Sequence, residues 1–270
     1  MILTNCAACA APLALDAPRC VRCQTRTVYA RTLYFDPTAT LDDLREAVAT
    51  LEETVRIARR VLGGAHPNVG AGEVLLREAR AALSAHLVVQ GNLAASYAMR
   101  GQNEQALNMF RDVYSGLLRL NGEEHPHTLQ AANNYAASLI KLERYEEARS
   151  LLRTMLPVAR RVLGESNDLT LGLRTNYAQS LYFDAAATLN DLREAVTTLA
   201  DTERIARRVF GGAHPTTTGV AYDLREARAA LRARERGDVD VESIREAVAA
   251  MTAEEARALL SALETPPTTT

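Results

Sequence analysis

The sequence predicts an all-α protein, an α-α superhelix of antiparallel helical hairpins stacked as a repeat array. Three observations predict it. Residues 27–83 align without a gap to residues 175–231, and about two positions in three are identical. A shorter period of 42 residues lies between the copies: NLAASYAMRGQNEQAL starts at Asn92, NYAASLIKLERYEEAR at Asn134 and NYAQSLYFD at Asn176. Aromatics make up only 5%, Trp is absent and Ala is abundant, which favours helix over a β-sandwich. Self-similarity at a fixed period of this length is the signature of units that bury their apolar faces against one another.

The elements follow in order. Residues 1–26 hold every cysteine. Residues 27–85 read as a hairpin followed by a cap-like helix, the duplicate of 175–233. Residues 86–234 form the repeat array, and residues 235–270 carry two short amphipathic helices and a tail. In the Asn92 unit, Leu93, Ala94 and Tyr97 form one stripe, and Ala106 and Phe110 face back from the second helix. Ala94 and Ala106 are small where two helices must approach closely. Gly101 sits at the turn, where a residue without Cβ takes φ > 0. The Asn134 unit repeats this with Tyr135, Ala136, Leu139, Tyr145, Ala148 and Leu152. The Asn176 unit uses Tyr177, Ala178 and Leu181, then Ala195 and Leu199 after a longer turn. In that turn Thr188 with Asp191 is a capping-box pattern, as is Thr40 with Asp43 in the duplicate. The block VLLREARAALSA then merges with HLVVQGNLAASY into one long helix or interrupts the superhelix near residues 70–91. VESIREAVAAM and TAEEARALLSALE read as the two tail helices, and ETPPTTT as disordered.

Composition excludes several function classes. The net charge of −2 gives no bulk electrostatic case for nucleic acid or an anionic membrane. No run approaches the roughly 18 apolar residues of a membrane span. The start, MILTNCAACA, lacks the basic region of a signal peptide, so a cytoplasmic protein is expected. No Walker lysine loop, GxSxG, HExxH or dinucleotide fingerprint occurs, so no enzyme is expected.

Cys6, Cys9, Cys20 and Cys23 are spaced C-x2-C-x10-C-x2-C. Two such knuckles can bring four thiolates to one tetrahedral Zn²⁺. A pair of disulfides is the alternative. NCAACAAPLALDAPRCVRCQTR resembles the first half of a MYND-type zinc finger, whose later ligands are missing here. The resemblance leaves two outcomes: the four Cys regroup around one zinc ion, or the segment is a metal-poor remnant.

The helical units resemble tetratricopeptide repeats over about residues 27–234. The long period and the loops LGGAHP, NGEEHP and FGGAHP resemble the repeats of kinesin light chains. The heptad-rich coiled coil of kinesin light chains has no counterpart in this sequence. The resemblance implies a solenoid whose concave groove is lined by first helices, with Asn92, Asn134 and Asn176 on that face. An Asn amide can pair with the N–H and C=O of an extended peptide. Asn133, Ala137 and Lys141 in the middle unit, and Gln179 and Tyr182 in the next, are neighbouring candidates. Val28 holds the ladder position in the first unit, with Arg31 three residues on. The expected function is a non-enzymatic scaffold that binds a peptide or partner protein. The alternative is a groove filled by the chain's own C-terminal helices, 241–264.

His66, His125 and His214 each precede Pro in a loop, one per repeat, and read as turn residues rather than metal ligands. The pairs Arg59-Arg60, Arg160-Arg161 and Arg207-Arg208 fall late in second helices, where they complement the helix dipole. The REAR blocks read as salt-bridged solvent faces.

Overall fold

The structure is a computed structural model that describes residues 21–250, with side chains over residues 24–237. Among the described residues there are nine helices and no strand. They are α1 (Val21–Phe35), α2 (Leu41–Leu62), α3 (Pro67–Met99), α4 (Asn103–Asn121), α5 (Pro126–Lys141), α6 (Tyr145–Leu163), α7 (Asp168–Tyr182), α8 (Leu189–Phe210) and α9 (Pro215–Ala250). The chain divides into two compact units between Leu142 and Glu143.

In the first unit each helix packs on the next, from α1 to α5, and α3 also touches α1 and α5. Helices α1, α3 and α5 therefore form one layer, with α2 and α4 on the other. In the second unit α6 packs on α7, α7 on α8 and α8 on α9, and α7 touches α9. The small residues of the repeat helices are fully buried. Ala30, Ala47, Ala94, Ala106, Ala136, Ala148, Ala178 and Ala195 all have no solvent exposure.

Local chemistry sets the helix ends. Thr40 and Thr188 each accept the N3 backbone N–H at 3.2 Å, and their own backbone N–H groups donate to Asp43 and Asp191 at 2.8 and 2.9 Å. Both expected capping boxes are thus formed. Helices α2, α4, α6 and α8 end at Gly63, Gly122, Gly164 and Gly211, all with φ between 82 and 88°. The Cβ of any other residue would be strained there. One turn into α5 and α7, the buried hydroxyls of Thr128 and Thr170 donate to Leu117 O and Ala159 O at 3.3 and 3.5 Å. These bonds tie each helix to the end of the preceding one.

The cap-like block around residue 80 does not interrupt the array. It is continuous with the Asn92 helix in α3, whose 33 residues run from the His66 cap to Met99. No proline follows Pro67 within it, and its glycines keep negative φ. Ala79, Leu83 and Leu87 share one apolar core with Leu51 of α2 and with Val113 and Leu117 of α4. One long helix therefore serves two neighbours. At Gly116 of α4 an added Cβ would meet Leu87 Cδ1 at 3.0 Å, so this glycine permits the close approach of α3 and α4. The tail differs from expectation. VESIREAVAA is not a separate helix, because the backbone of α9 runs unbroken to Ala250. No proline or turn signal falls in that stretch to stop it. TAEEARALLSALE and ETPPTTT lie outside the described residues.

Glu143 is the single non-glycine residue with positive φ among the described residues, at 59°. It stands 42 positions after Gly101, which has φ 78°. The left-handed conformation costs an L-residue about 1 kcal/mol. Glu143→Gly is therefore expected to raise stability by about that amount, read as a higher denaturant midpoint at an unchanged slope. An unchanged or lower midpoint would show that the Glu143 side chain offsets the strain.

Candidate functional site

The first unit holds five of the residues expected to meet a peptide. Asn92 is exposed on α3, and its backbone carbonyl accepts the Ser96 hydroxyl at 3.2 Å. Asn134 is half-buried on α5, where its Oδ1 accepts Gln130 Nε2 at 3.1 Å and Asn133 Nδ2 at 3.5 Å. Ala137, nearly one turn further on, is exposed. Lys141 is exposed as well, and its Nζ donates to Ala98 O at 3.0 Å. A cation there caps carbonyls at the end of α3, as the helix dipole favours. Val28, at the equivalent position of α1, is 55% exposed. Around Asn92 the surface of α3 is apolar: Val89, Leu93 and Met99 are 63, 44 and 83% exposed.

In the second unit Asn176 is half-buried on α7. Gln179 and Tyr182 are occupied elsewhere. Tyr182 is buried, and its hydroxyl donates to Asp223 Oδ1 at 2.8 Å. Gln179 Nε2 donates to Asp223 Oδ2 at 3.0 Å. Both side chains thus hold a buried carboxylate of α9 rather than standing free for a ligand. Burial, then the bond to Asp223, raises the Tyr182 pKa far above its ordinary value. In the first unit the duplicate Tyr34 donates to Glu78 at 2.9 Å, and burial pushes it up to about 12. The sequence carried a signal for this difference: Asp223 aligns with Leu75, a charged residue where the other copy is apolar.

Arg149 was also not legible as special. It is buried on α6, donates to Ser180 O and Asp184 at 3.0 Å, and pairs with Glu146 at 2.6 Å. It fastens α6 to α7 and to the turn after it.

The histidines are helix caps. His66, His125 and His214 each accept a backbone N–H on Nδ1 at 3.2 Å, two residues downstream. Asn167 does the same through Oδ1 at 3.0 Å, 42 positions after His125. Proline follows each His at the first helical position, where its missing N–H costs nothing. Among the described residues no group of His, Cys, Asp or Glu could hold a metal. Cys6, Cys9 and Cys20 lie outside the described residues. Cys23 lies in α1, with its side chain outside them. Among the described residues no helix is long and apolar enough to cross a membrane.

A protonated Nδ1 cannot accept, so the cap requires neutral histidine. Burial, then the neighbouring His127, lowers the His125 pKa below the ordinary 6.5. The unfolded chain then binds more protons across that window, so this contribution is full above the ordinary value. It is lost as pH falls through the lowered one. The expected result is a thermal midpoint that drops from about pH 8 to about pH 5. In His125→Asn the drop should be smaller, because the amide keeps the cap without titrating. An identical pH profile in the variant would exclude this cap as the source.

Residues 85–161 match a tetratricopeptide-repeat family model, and residues 39–68 match a second. No curated protein matches the chain. The chain is similar to crystal structures of nearly identical TPR-like repeats from Podosopora anserina, described as those of a kinesin light chain. One of these is 21% identical over 86% of this chain and 98% of that one, with a TM-score of 0.44. A substituted form is 21% identical over 83% and 93%, with a TM-score of 0.46. BtubC (BKLC) from P. vanneervenii is 17% identical over 86% and 91%, with a TM-score of 0.44. Residues 39–68 and 85–161, which form capped helical hairpins, are thus similar to tetratricopeptide repeats.

Proposed function

We propose that the chain is a non-enzymatic protein-interaction scaffold that binds an extended peptide along its first-helix face. The supporting observation is the register of Val28, Asn92 and Asn134. They occupy equivalent positions on α1, α3 and α5, the helices of one layer, and all three retain solvent exposure. Asn92 and Asn134 supply amides for peptide backbone, and Val89, Leu93 and Met99 supply apolar surface that a bound chain would cover. Asn133, Ala137 and Lys141 border the same face. In the second unit Asn176 holds the equivalent repeat position on α7. Tetratricopeptide repeats generally serve protein–protein interaction, which fits this reading.

The test is affinity capture with wild type and with Asn92→Ala/Asn134→Ala/Asn176→Ala, after both prove equally helical. Each amide–peptide pairing is worth about 1 kcal/mol, so the triple variant should hold its partner roughly a hundredfold more weakly. A partner retained at equal strength removes the asparagines from the function.

The reading includes a zinc ion held by Cys6, Cys9, Cys20 and Cys23, as thiolates in a reducing cytoplasm. Metal analysis should find zinc in the wild type and little in Cys20→Ser/Cys23→Ser. A zinc-free wild type would make the segment a metal-poor remnant.

A further inference from the structure

The first unit has a cleft of about 660 Å³ between α2 and α3, away from the asparagines. Arg56, Arg59 and Arg60 reach it from α2, and Arg77 and Arg80 from α3. Glu52 and Glu73 are the carboxylates of its lining, and Val55 and Leu76 add apolar surface. The lining therefore carries an excess of positive charge in a chain whose net charge is −2. The carboxylates bridge the cleft: Arg59 pairs with Glu73, and Arg80 with Glu52 at 2.7 Å. Arg56 is held bidentately by Glu53 at 2.8 and 2.9 Å. Arg60 and Arg77 have no carboxylate partner among the described residues. The helices thus converge two uncommitted guanidiniums and three lightly committed ones on one volume.

We propose that this cleft binds the phosphate chain of a soluble small molecule. A guanidinium presents paired N–H donors that match phosphate oxygens. Five of them in so small a volume repel one another, and a short chain of phosphates carries enough charge to offset that repulsion. The volume lies in the range of small-molecule sites. Val55 and Leu76 offer an apolar contact for the organic part of such a ligand. The Arg59–Glu73 and Arg80–Glu52 pairs are solvent-exposed and therefore weak, so a ligand displaces their carboxylates readily. The duplicated segment keeps all five arginines, as Arg204, Arg207, Arg208, Arg225 and Arg228, while Glu52 and Glu73 become Ala200 and Ala221.

The probe is inorganic tripolyphosphate, titrated calorimetrically into the full chain at matched ionic strength. Wild type should bind it saturably. Arg60→Gln/Arg77→Gln should weaken the α2–α3 site by roughly tenfold or more, since each removed guanidinium forfeits charge-assisted bonds. Glu52→Gln/Glu73→Gln should tighten it, because the competing carboxylates are gone. Arg111→Gln/Arg119→Gln on α4, an equal change of charge, should leave it unchanged. All three substituted pairs are at the surface or its edge, and equal helicity is checked first. An equal loss in the α4 variant would reduce the effect to diffuse charge and overturn the proposal. So would an absence of saturable binding, or binding to phosphoinositide vesicles without binding to tripolyphosphate.

Discussion

Close approach of helices at alanine is the constraint on which the rest of this structure depends. In the first unit Ala30 and Ala47 lie in one core, and Ala94 and Ala106 in another, all without solvent exposure. Ala178 and Ala195 repeat the arrangement in α7 and α8 of the second unit. Interaxial distance is set by the side chains at the contact, and small ones allow the short end of the usual range of about 8–10 Å. Once the axes are that close, larger residues must lie beside the contact rather than in it. Phe110 and Tyr97 do so in one hairpin, and Leu181 and Leu199 in another. A bulkier residue at the alanine position would separate the helices and open voids along the flanking rows.

The second recurring solution is chemical rather than steric. Every second-position helix of a hairpin ends on a positive-φ glycine, and the next helix begins on a side chain that accepts a backbone N–H. The acceptor is imidazole at three sites and an amide at the fourth, so the loop demands a lone pair at a given place and not a particular residue. The threonine one turn later adds a bond back to the previous helix at Thr128 and Thr170. Val69 takes that place in α3, matching the shape without the hydroxyl. That helix is instead held by the continuous core along its length.

These local rules explain which features were legible in the sequence. Capping boxes at Thr40 and Thr188, the alanine contacts and the Pro-led helix starts each depend on a few adjacent residues and a period, and the structure has them. The union of the cap-like block with the Asn92 helix was left open because nothing in residues 70–91 either stops or compels a helix. Tertiary packing on both α2 and α4 decides it. The commitment of Gln179 and Tyr182 was hidden for a different reason. Their partner, Asp223, lies more than 40 residues away on another helix. Helical register placed them correctly on α7 but could not say what α9 brings against them. In sequence the cleft's arginines read as helix-end charges at Arg59-Arg60 and as a salt-bridged solvent face in the REAR block, whereas the ion pairs of Arg59 and Arg80 cross between α2 and α3. What the pattern could not give was that Arg60 and Arg77 converge without carboxylates of their own.

Divergence between the duplicated segments shows where the frame is tight and where it is free. Gly72 faces Val55 so closely that an added Cβ would come within 2.9 Å of Val55 Cγ2. In the other copy the positions hold Val220 and Glu203, so the valine has moved from one helix to its neighbour and the vacated site has become charged. The two changes make sense only together, since Val220 is buried and would clash with a valine at the Glu203 position. A second paired adjustment surrounds Tyr34 and Tyr182. Both hydroxyls donate to a carboxylate of the next helix but one, Glu78 of α3 in one copy and Asp223 of α9 in the other. A buried phenol requires an acceptor, whereas the backbone position that supplies it can slide by nearly one turn. At these two places the copies preserve a filled volume and a satisfied phenol while the residues that supply them change.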